Sequence, residues 1–187
     1  MRQTAFIFSI LALFLSGKTI GQSNAPRAWA GIYSEIAETS GLTGWAYGLA
    51  GGAEWKRFFL GGFVMQSSPL LHSKEAGNSY EISARLGGLP GGYHRPVIGL
   101  LEITGGLRIG TGSTSLKREG SDTPVNDAVY MAVPFAGMEM PLGNSARISL
   151  YSGFRLFGGF EPVDNWRNRD LFALANTLSV RVLFGKK

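Results

Sequence analysis

The strongest constraint on the fold is a two-residue alternation between large apolar residues and small or charged ones. In the stretch ARISLYSGFRLFGGF, residues 146–160, one set of alternate positions is mostly apolar, as at Ile148 and Phe154. The other set places Arg147 and Arg155 among serine and glycine residues. Alternate residues of a β-strand point to opposite faces. The stretch therefore predicts a strand with one apolar face and one face that carries spaced arginines.

The same alternation recurs along the chain, whereas no stretch after residue 22 shows the 3.6-residue repeat of an amphipathic helix. Clusters of Gly, Pro, Asn and Ser separate eight strand-like segments, at about 28–38, 44–54, 56–67, 79–90, 96–111, 127–142, 145–159 and 171–184. Longer polar connections alternate with short ones such as EWKR, GGYHRP and LGNS. Outer-membrane barrels have an even strand number, long outer loops and short periplasmic turns. The sequence therefore predicts an all-β fold, an eight-stranded antiparallel up-and-down transmembrane β-barrel.

The polar rows of the predicted strands carry as many acidic as basic side chains. They are Glu35, Glu54, Glu81, Glu102 and Glu139, and Arg85, Arg108, Arg147, Arg155 and Arg181. An arginine that faces lipid at the bilayer midplane costs roughly 2–4 kcal/mol, and side chains fill the interior of an eight-stranded barrel. The rows are therefore predicted to face inward as a luminal ion-pair network, with Glu139 near Arg147 and with Arg155 at another depth.

A soluble barrel or sandwich, with its polar rows in water, is the alternative interpretation. Polar rows of that kind would be rich in Lys and Glu. Here they contain Arg, Glu and small residues, and most lysines lie in predicted turns, loops and the C-terminal GKK. The pattern favours the membrane barrel.

Local patterns assign the faces of single strands. In 80–88, Ile82 and Leu86 are assigned to the outer face, opposite Glu81 and Arg85. In 127–142 the apolar phase shifts, which predicts a β-bulge near Pro134. In 56–67 both rows are apolar and the faces stay unassigned.

Aromatic residues recur near the predicted strand ends, where two membrane-interface belts are expected. The predicted interface residues are Trp45, Tyr47, Trp55, Tyr80, Phe160, Phe172 and Phe184. Outer-membrane lipid and lipopolysaccharide are the expected surroundings. A protein partner is expected to bind through the outer loops 68–78, 112–126 and 160–170.

The N-terminal residues 1–21 predict a signal peptide, with Arg2 before the apolar stretch AFIFSILALFLSG and with TIG at the cleavage site. Residues 22–187 are then the barrel domain, exported to the outer membrane of a Gram-negative bacterium. The chain has no cysteine, which excludes disulfides, zinc–thiolate sites and a lipoprotein anchor. Its net charge of +5 is too weak and too scattered to indicate nucleic-acid binding.

The sequence predicts no catalytic residue, no metal site and no cofactor. It has two histidines, His72 in a predicted outer loop and His94 in the predicted turn GGYHRP. Neither has a second His or Cys at metal-ligand spacing. A role for His72 and Ser73 in lipid chemistry is disfavoured, because neighbouring strand residues point apart.

Taken together, the signal peptide, strand number, loop asymmetry and final strand LSVRVLFG resemble the small eight-stranded outer-membrane barrels of the OmpX/OmpA type and small barrels of Bacteroidetes-like bacteria. The resemblance covers residues 28–184. It implies a closed barrel with a structural or interaction role. Two alternatives remain open: a lipid-modifying enzyme of the lipid A deacylase or acyltransferase type, and a barrel subunit of a conjugation or secretion assembly.

Overall fold

A computed structural model describes residues 25–39, 42–67, 70–75, 78–118, 124–143, 145–159, 161 and 172–184. The predicted signal peptide lies outside these residues. Within them, regular structure consists of β-strands. No helix in this part of the chain is long and apolar enough to cross a membrane.

The described strands form one antiparallel sheet. They are β1 (Arg27–Thr39), β2 (Leu42–Trp55), β3 (Phe58–Ser67), β4 (Leu70–Glu75), β5 (Asn78–Ile98), β6 (Leu101–Arg118), β7 (Val125–Leu142), β8 (Ala146–Gly158) and β9 (Ala173–Phe184). Except for β3 and β4, strands that follow each other in sequence are paired. In addition, β1 pairs with β9 and β3 pairs with β5. Because β3 and β4 pair successively with β5, they share one position in the wall. The predicted closed eight-stranded barrel is therefore confirmed.

The turn between β5 and β6 lies further along the chain than the sequence indicates. Residues 91–96, the predicted turn GGYHRP, continue β5 as far as Ile98, and the turn consists of Gly99 and Leu100. Gly99 has a φ of 57°, a left-handed conformation that favours glycine in a tight turn. The turns predicted at EWKR and LGNS are present.

The predicted outer loops are partly strands. β4 lies within 68–78, and β6 continues through Arg118. β5, β6 and β7 have 21, 18 and 18 residues, whereas β8 and β9 have 13 and 12. Beyond the last pairs with β3 and β8, the sheet of β4 to β7 continues for about 20 Å at roughly 3.4 Å per residue. We call this part the protruding sheet.

Burial alternates along the strands and separates an inner face from an outer face. In β9 every second residue is buried without interruption. In β3, Phe59, Phe63 and Met65 are buried, while Phe58 and Leu60 are exposed, which settles the faces that the sequence leaves open. The outer surface is mainly apolar, as in a barrel that faces lipid.

The faces predicted for part of β5 are wrong. Ile82 and Leu86 are buried inside the barrel, and Glu81 and Arg85 are exposed on the outside. The two charges lie on the part of β5 that pairs with β4 or with the last residues of β3. At this end the lumen is apolar, so the apolar row faces inward and the polar row faces out.

The bulge predicted near Pro134 is also absent from the described strands. Val133, Phe135 and Glu139 all face inward, and the β7 register continues unchanged on both sides. Pro134 faces outward, and the β7–β8 pairing is interrupted there because proline has no N–H to donate. The inward row changes from apolar to charged along the strand, which gave the appearance of a phase shift.

An apolar cluster fills the lumen toward the protruding sheet. Its buried members are Tyr33, Ala46, Phe63, Met65, Ile82, Leu86, Leu116, Val129, Met131, Val133 and Phe157. A second cluster of Trp29, Phe59, Phe135 and Leu183 lies toward the turns. The inside of this barrel is therefore packed with rings and aliphatic side chains as well as with charges.

Inward glycines leave room for these rings. A Cβ at Gly106 would lie 2.8 Å from Cζ of Phe135 and 2.7 Å from Cα of Gly92 on β5. A Cβ at Gly92 would in turn lie 2.6 Å from Cζ of Phe59. The aromatic rings therefore lie against the glycine backbone of the wall, and a side chain there would displace them.

We expect Gly106→Val to lower the free energy of unfolding by about 1–3 kcal/mol, the usual cost of overpacking. The neighbouring Gly105→Val is the matched control, because a Cβ at Gly105 meets nothing closer than the Phe135 carbonyl oxygen at 3.5 Å. Urea unfolding of both variants in lipid vesicles measures the difference. Equal destabilisation of the two variants would contradict this packing.

Candidate functional site

The lumen near the turns is organised around Arg147 of β8. Its Nη1 donates to Glu139 Oε1 on β7 at 2.9 Å and also to Glu102 Oε2 on β6. Its Nη2 donates to Glu54 Oε1 on β2 at 3.1 Å. Arg147 is only 7% exposed. One guanidinium therefore ties together carboxylates from three other strands.

Glu139 joins a second arginine to this group. Its Oε2 accepts from Arg181 Nη2 on β9, from Ser149 Oγ at 3.1 Å and from Tyr151 OH at 3.3 Å. The residue is 1% exposed. A carboxylate removed from water needs such donors, because unpaired burial of its charge is very costly. We call Glu54, Glu102, Glu139, Arg147 and Arg181 the turn-side cluster.

His94 lies against the turn-side cluster rather than in a turn. It is 2% exposed, its Nε2 lies 3.9 Å from Glu54 Oε1, and its ring stacks on Phe59 with centroids 6.5 Å apart. Its Nε2 also lies 3.3 Å from the Lys56 carbonyl oxygen. The contact was not predicted from the sequence, because the residues GGYHRP indicate a turn where β5 in fact continues to Ile98. Residues 86–94, LGGLPGGYH, carry glycine on both rows, so their alternation does not reveal the inward position of His94.

His94, Glu102 and Glu139 present possible metal-ligand atoms within 4.8 Å of one another. Arg147 already donates to both carboxylates, and Arg181 donates to Glu139. A cation in this position would therefore compete with two guanidinium groups. The arrangement is that of an internal salt-bridge network.

A second group of charges lies further from the turns, and we call it the central cluster. Glu35 of β1 pairs with Arg108 Nη2 of β6 at 2.7 Å and with Arg155 of β8. Thr177 bridges them, donating to Glu35 at 2.8 Å and accepting from Arg108 at 3.1 Å. One buried carboxylate thus binds two arginines.

Aromatic rings cover the guanidinium groups. Arg181 lies over Phe59 at 4.7 Å from the ring centroid, and Arg108 lies over Tyr33 at 5.5 Å. Arg155 lies over Phe157 at 5.7 Å. These cation–π contacts provide attraction in a space with little water. The apolar and charged side chains of the lumen are therefore in direct contact with one another.

The two clusters together contain four glutamates and four arginines, so their formal charges cancel. Arg147 and Arg155 are eight residues apart, about 27 Å along a strand at roughly 3.4 Å per residue. Each pairs with different acids, and Arg147 contacts Glu139 as predicted from the sequence. A cavity of about 60 Å³, lined by side chains of both clusters and by the rings of Trp29 and Phe63, remains in the lumen.

The structure brings eight of the ten predicted luminal residues into these clusters, and leaves out Glu81 and Arg85, which are exposed. Among the predicted interface aromatics, Trp45, Tyr47, Trp55 and Phe184 are exposed on the outer face. Phe172 is half-buried and packs on Phe154, with ring centroids 6.2 Å apart. Phe160 and the side chain of Tyr80 lie outside the described residues.

We expect Arg147→Leu to lower the free energy of unfolding by about 3–5 kcal/mol, because three carboxylates lose a common counter-charge. Adding Glu102→Gln should recover part of the loss. Adding Glu139→Gln should recover less, since Glu139 keeps Arg181 as its partner. Urea unfolding in lipid vesicles measures all three.

The exposed Arg95 of β5 provides the control for this series. Arg95→Leu should change the free energy of unfolding by no more than about 0.5 kcal/mol, as is usual for exposed sites. A similar loss from Arg95→Leu and Arg147→Leu would show that the luminal pairing is not what stabilises the barrel.

No protein-family model and no curated protein sequence matches this chain. Among solved structures, the chain is similar to Ail, the attachment invasion locus protein of Yersinia pestis, crystallised with the heparin analogue sucrose octasulfate. The TM-score is 0.53 at 10% identity, over 87% of this chain and 100% of Ail. It is also similar to Neisserial surface protein A, with a TM-score of 0.52 at 14% identity, over 86% of this chain and 99% of that protein. At these identities the likeness concerns the fold: the chain folds as a small eight-stranded outer-membrane barrel, as its resemblance to OmpX/OmpA-type barrels predicts.

Proposed function

We propose that the protein is a closed barrel of the Gram-negative outer membrane with a structural or interaction role rather than an enzymatic one. Residues 1–21 would direct its export, and residues 22–187 would form the membrane domain. The apolar outer surface suits lipid, and the protruding sheet suits contacts outside the cell. The proposal gives the barrel wall the role of an anchor and gives the protruding sheet and outer loops the role of contact surface.

The observation that carries the proposal is the filling of the lumen at two levels. At one level Arg147 holds Glu54, Glu102 and Glu139, and at the other Glu35 holds two arginines. An ion that crossed the barrel would have to separate these pairs in a space that side chains already occupy. This supports a closed barrel and argues against a diffusion pore.

We therefore expect conductance near background when the purified protein is inserted into planar lipid bilayers. Insertion is checked separately, by co-flotation of the protein with vesicles, so that a lack of current cannot be attributed to a barrel that failed to insert. A stable, large, ohmic channel from the wild-type protein would contradict the closed lumen.

No arrangement of catalytic side chains for lipid modification is present among the described residues. His94 is buried among the luminal carboxylates and faces neither the outer rim nor the lipid. The side chains of His72 and Ser73 lie outside the described part of the structure. The geometry thus favours an interaction role over the lipid-modifying alternative.

Lipopolysaccharide is the partner that we propose for the outer end of the wall. Arg85 is exposed on β5, opposite the uncharged Ser113 of β6 and Gln66 of β3. Just above the apolar surface, an arginine of this kind suits the phosphate groups of lipid A. The crystallised complex of Ail with a polysulfated sugar supports anionic sugars as a ligand class for this fold. Protein partners are proposed for the outer loops 68–78, 112–126 and 160–170.

We expect Arg85→Gln to lower the affinity of the barrel for lipopolysaccharide about fivefold, since one cation at a membrane surface contributes about 1 kcal/mol. Arg95→Gln is the matched control, because Arg95 is exposed on the same strand near the turns. Native mass spectrometry of the detergent-solubilised protein titrated with lipopolysaccharide measures both. A loss of lipopolysaccharide affinity in Arg95→Gln alone would show that the turns, not the protruding sheet, face the outside of the cell. Equal losses of affinity in the two variants would reject a site at Arg85.

A further inference from the structure

Ser152 of β8 and Asn176 of β9 place two polar side chains within the apolar outer surface. They stand directly opposite each other, both are exposed, and Ser152 Oγ donates to Asn176 Oδ1 at 2.6 Å. Ser152 is the seventh of the thirteen residues of β8 and Asn176 is the fourth of the twelve residues of β9, so neither lies at a strand end. Its neighbours along the same two strand faces are Leu150, Phe154, Leu174 and Leu178, all exposed.

Ser152 satisfies only one end of the Asn176 amide. A primary amide offers two N–H donors as well as a carbonyl acceptor, and the oxygen has two lone pairs. Within the described residues, the contact with Ser152 is the hydrogen bond that the Asn176 side chain makes, and it involves Oδ1 rather than Nδ2. If the amide is turned by 180°, Ser152 meets the nitrogen and the oxygen is left over. Lipid acyl chains offer no hydrogen bond in either case, so an amide at this depth needs a protein partner.

We propose that the Ser152–Asn176 pair is the centre of a contact between two copies of this chain in the membrane. An amide is self-complementary, because across a two-fold axis each Nδ2 meets the Oδ1 of the other copy. Next to the pair, the small and exposed Ala136 stands opposite Ser152 on β7 and permits close approach. The exposed Ile36, opposite Asn176 on β1, provides apolar contact beside it.

The inference rests on the membrane location proposed above, and a cysteine experiment tests the two separately. The chain has no cysteine, so a single introduced thiol reports on one position. Leu178→Cys places the thiol next to Asn176, and Leu89→Cys places it on β5, four wall positions away and therefore on the opposite side. The two leucines are 49% and 54% exposed, so they form a matched pair. Labelling of both cysteines by a lipid-soluble maleimide, but not by a charged one, establishes membrane embedding first.

A short bismaleimide added to native outer membranes should then cross-link Leu178→Cys to a covalent dimer several times more than Leu89→Cys. Equal cross-linking of the two positions at low protein density would overturn the proposal, whatever the outcome for membrane embedding. It would show that lipid or another protein covers this face.

Asn176→Leu measures the hydrogen bonds themselves. Loss of two symmetry-related bonds should raise the dimer dissociation constant in vesicles about tenfold, measured by energy transfer between labelled copies. A leucine on the lipid face is compatible with the barrel. Folding of the variant is verified by gel electrophoresis, in which unheated and heated samples should migrate at the same two positions as those of the wild type. An unchanged dissociation constant would reject the amide as the centre of the contact.

Discussion

The rest of the structure depends on neutralising buried arginines inside a barrel that is filled with side chains. Each of the four arginines of the two clusters is paired with a glutamate from another strand, and Glu139 and Glu35 each bind two arginines. Removing charge from water is tolerable only with such pairing. Because the partners lie on β1, β2, β6, β7, β8 and β9, the charge pairing also fixes how these strands face one another around the wall.

The polarity of the inner face changes along the barrel axis. Toward the turns it is charged, while toward the protruding sheet it consists of side chains such as Met131, Ile82 and Leu86. For this reason the two-residue alternation predicted the strands and the faces of β8 and β9, but misassigned part of β5. The alternation shows that a strand has two different faces. The more polar face is the inner one only where the lumen is charged, and it is the outer one where the lumen is apolar.

The misplaced turn has a related physical cause. Glycine and proline in GGYHRP look like turn residues, yet Gly92 faces the ring of Phe59 and has no room for a side chain. In this barrel, glycine often marks a space for an aromatic ring rather than a reversal of the chain. Only the pairing of β5 with β3 and β6 separates the two uses, and local sequence does not contain that pairing. The inward position of His94 depends on the same pairing.

One rule applies on both sides of the wall: a polar group away from water must find its hydrogen-bond partner in protein. In the lumen the chain supplies many of these partners itself: Glu139 alone accepts from two arginines, a serine and a tyrosine. The Nε atoms of Arg147, Arg155 and Arg181 are buried there without a hydrogen bond. On the outer face the chain meets it only halfway, because Ser152 occupies one end of the Asn176 amide. The paired charges support the proposed closed lumen, and the half-satisfied external amide supports the proposed contact with a second copy. Inside and outside thus follow from the same electrostatic requirement, applied to groups with different numbers of partners in reach.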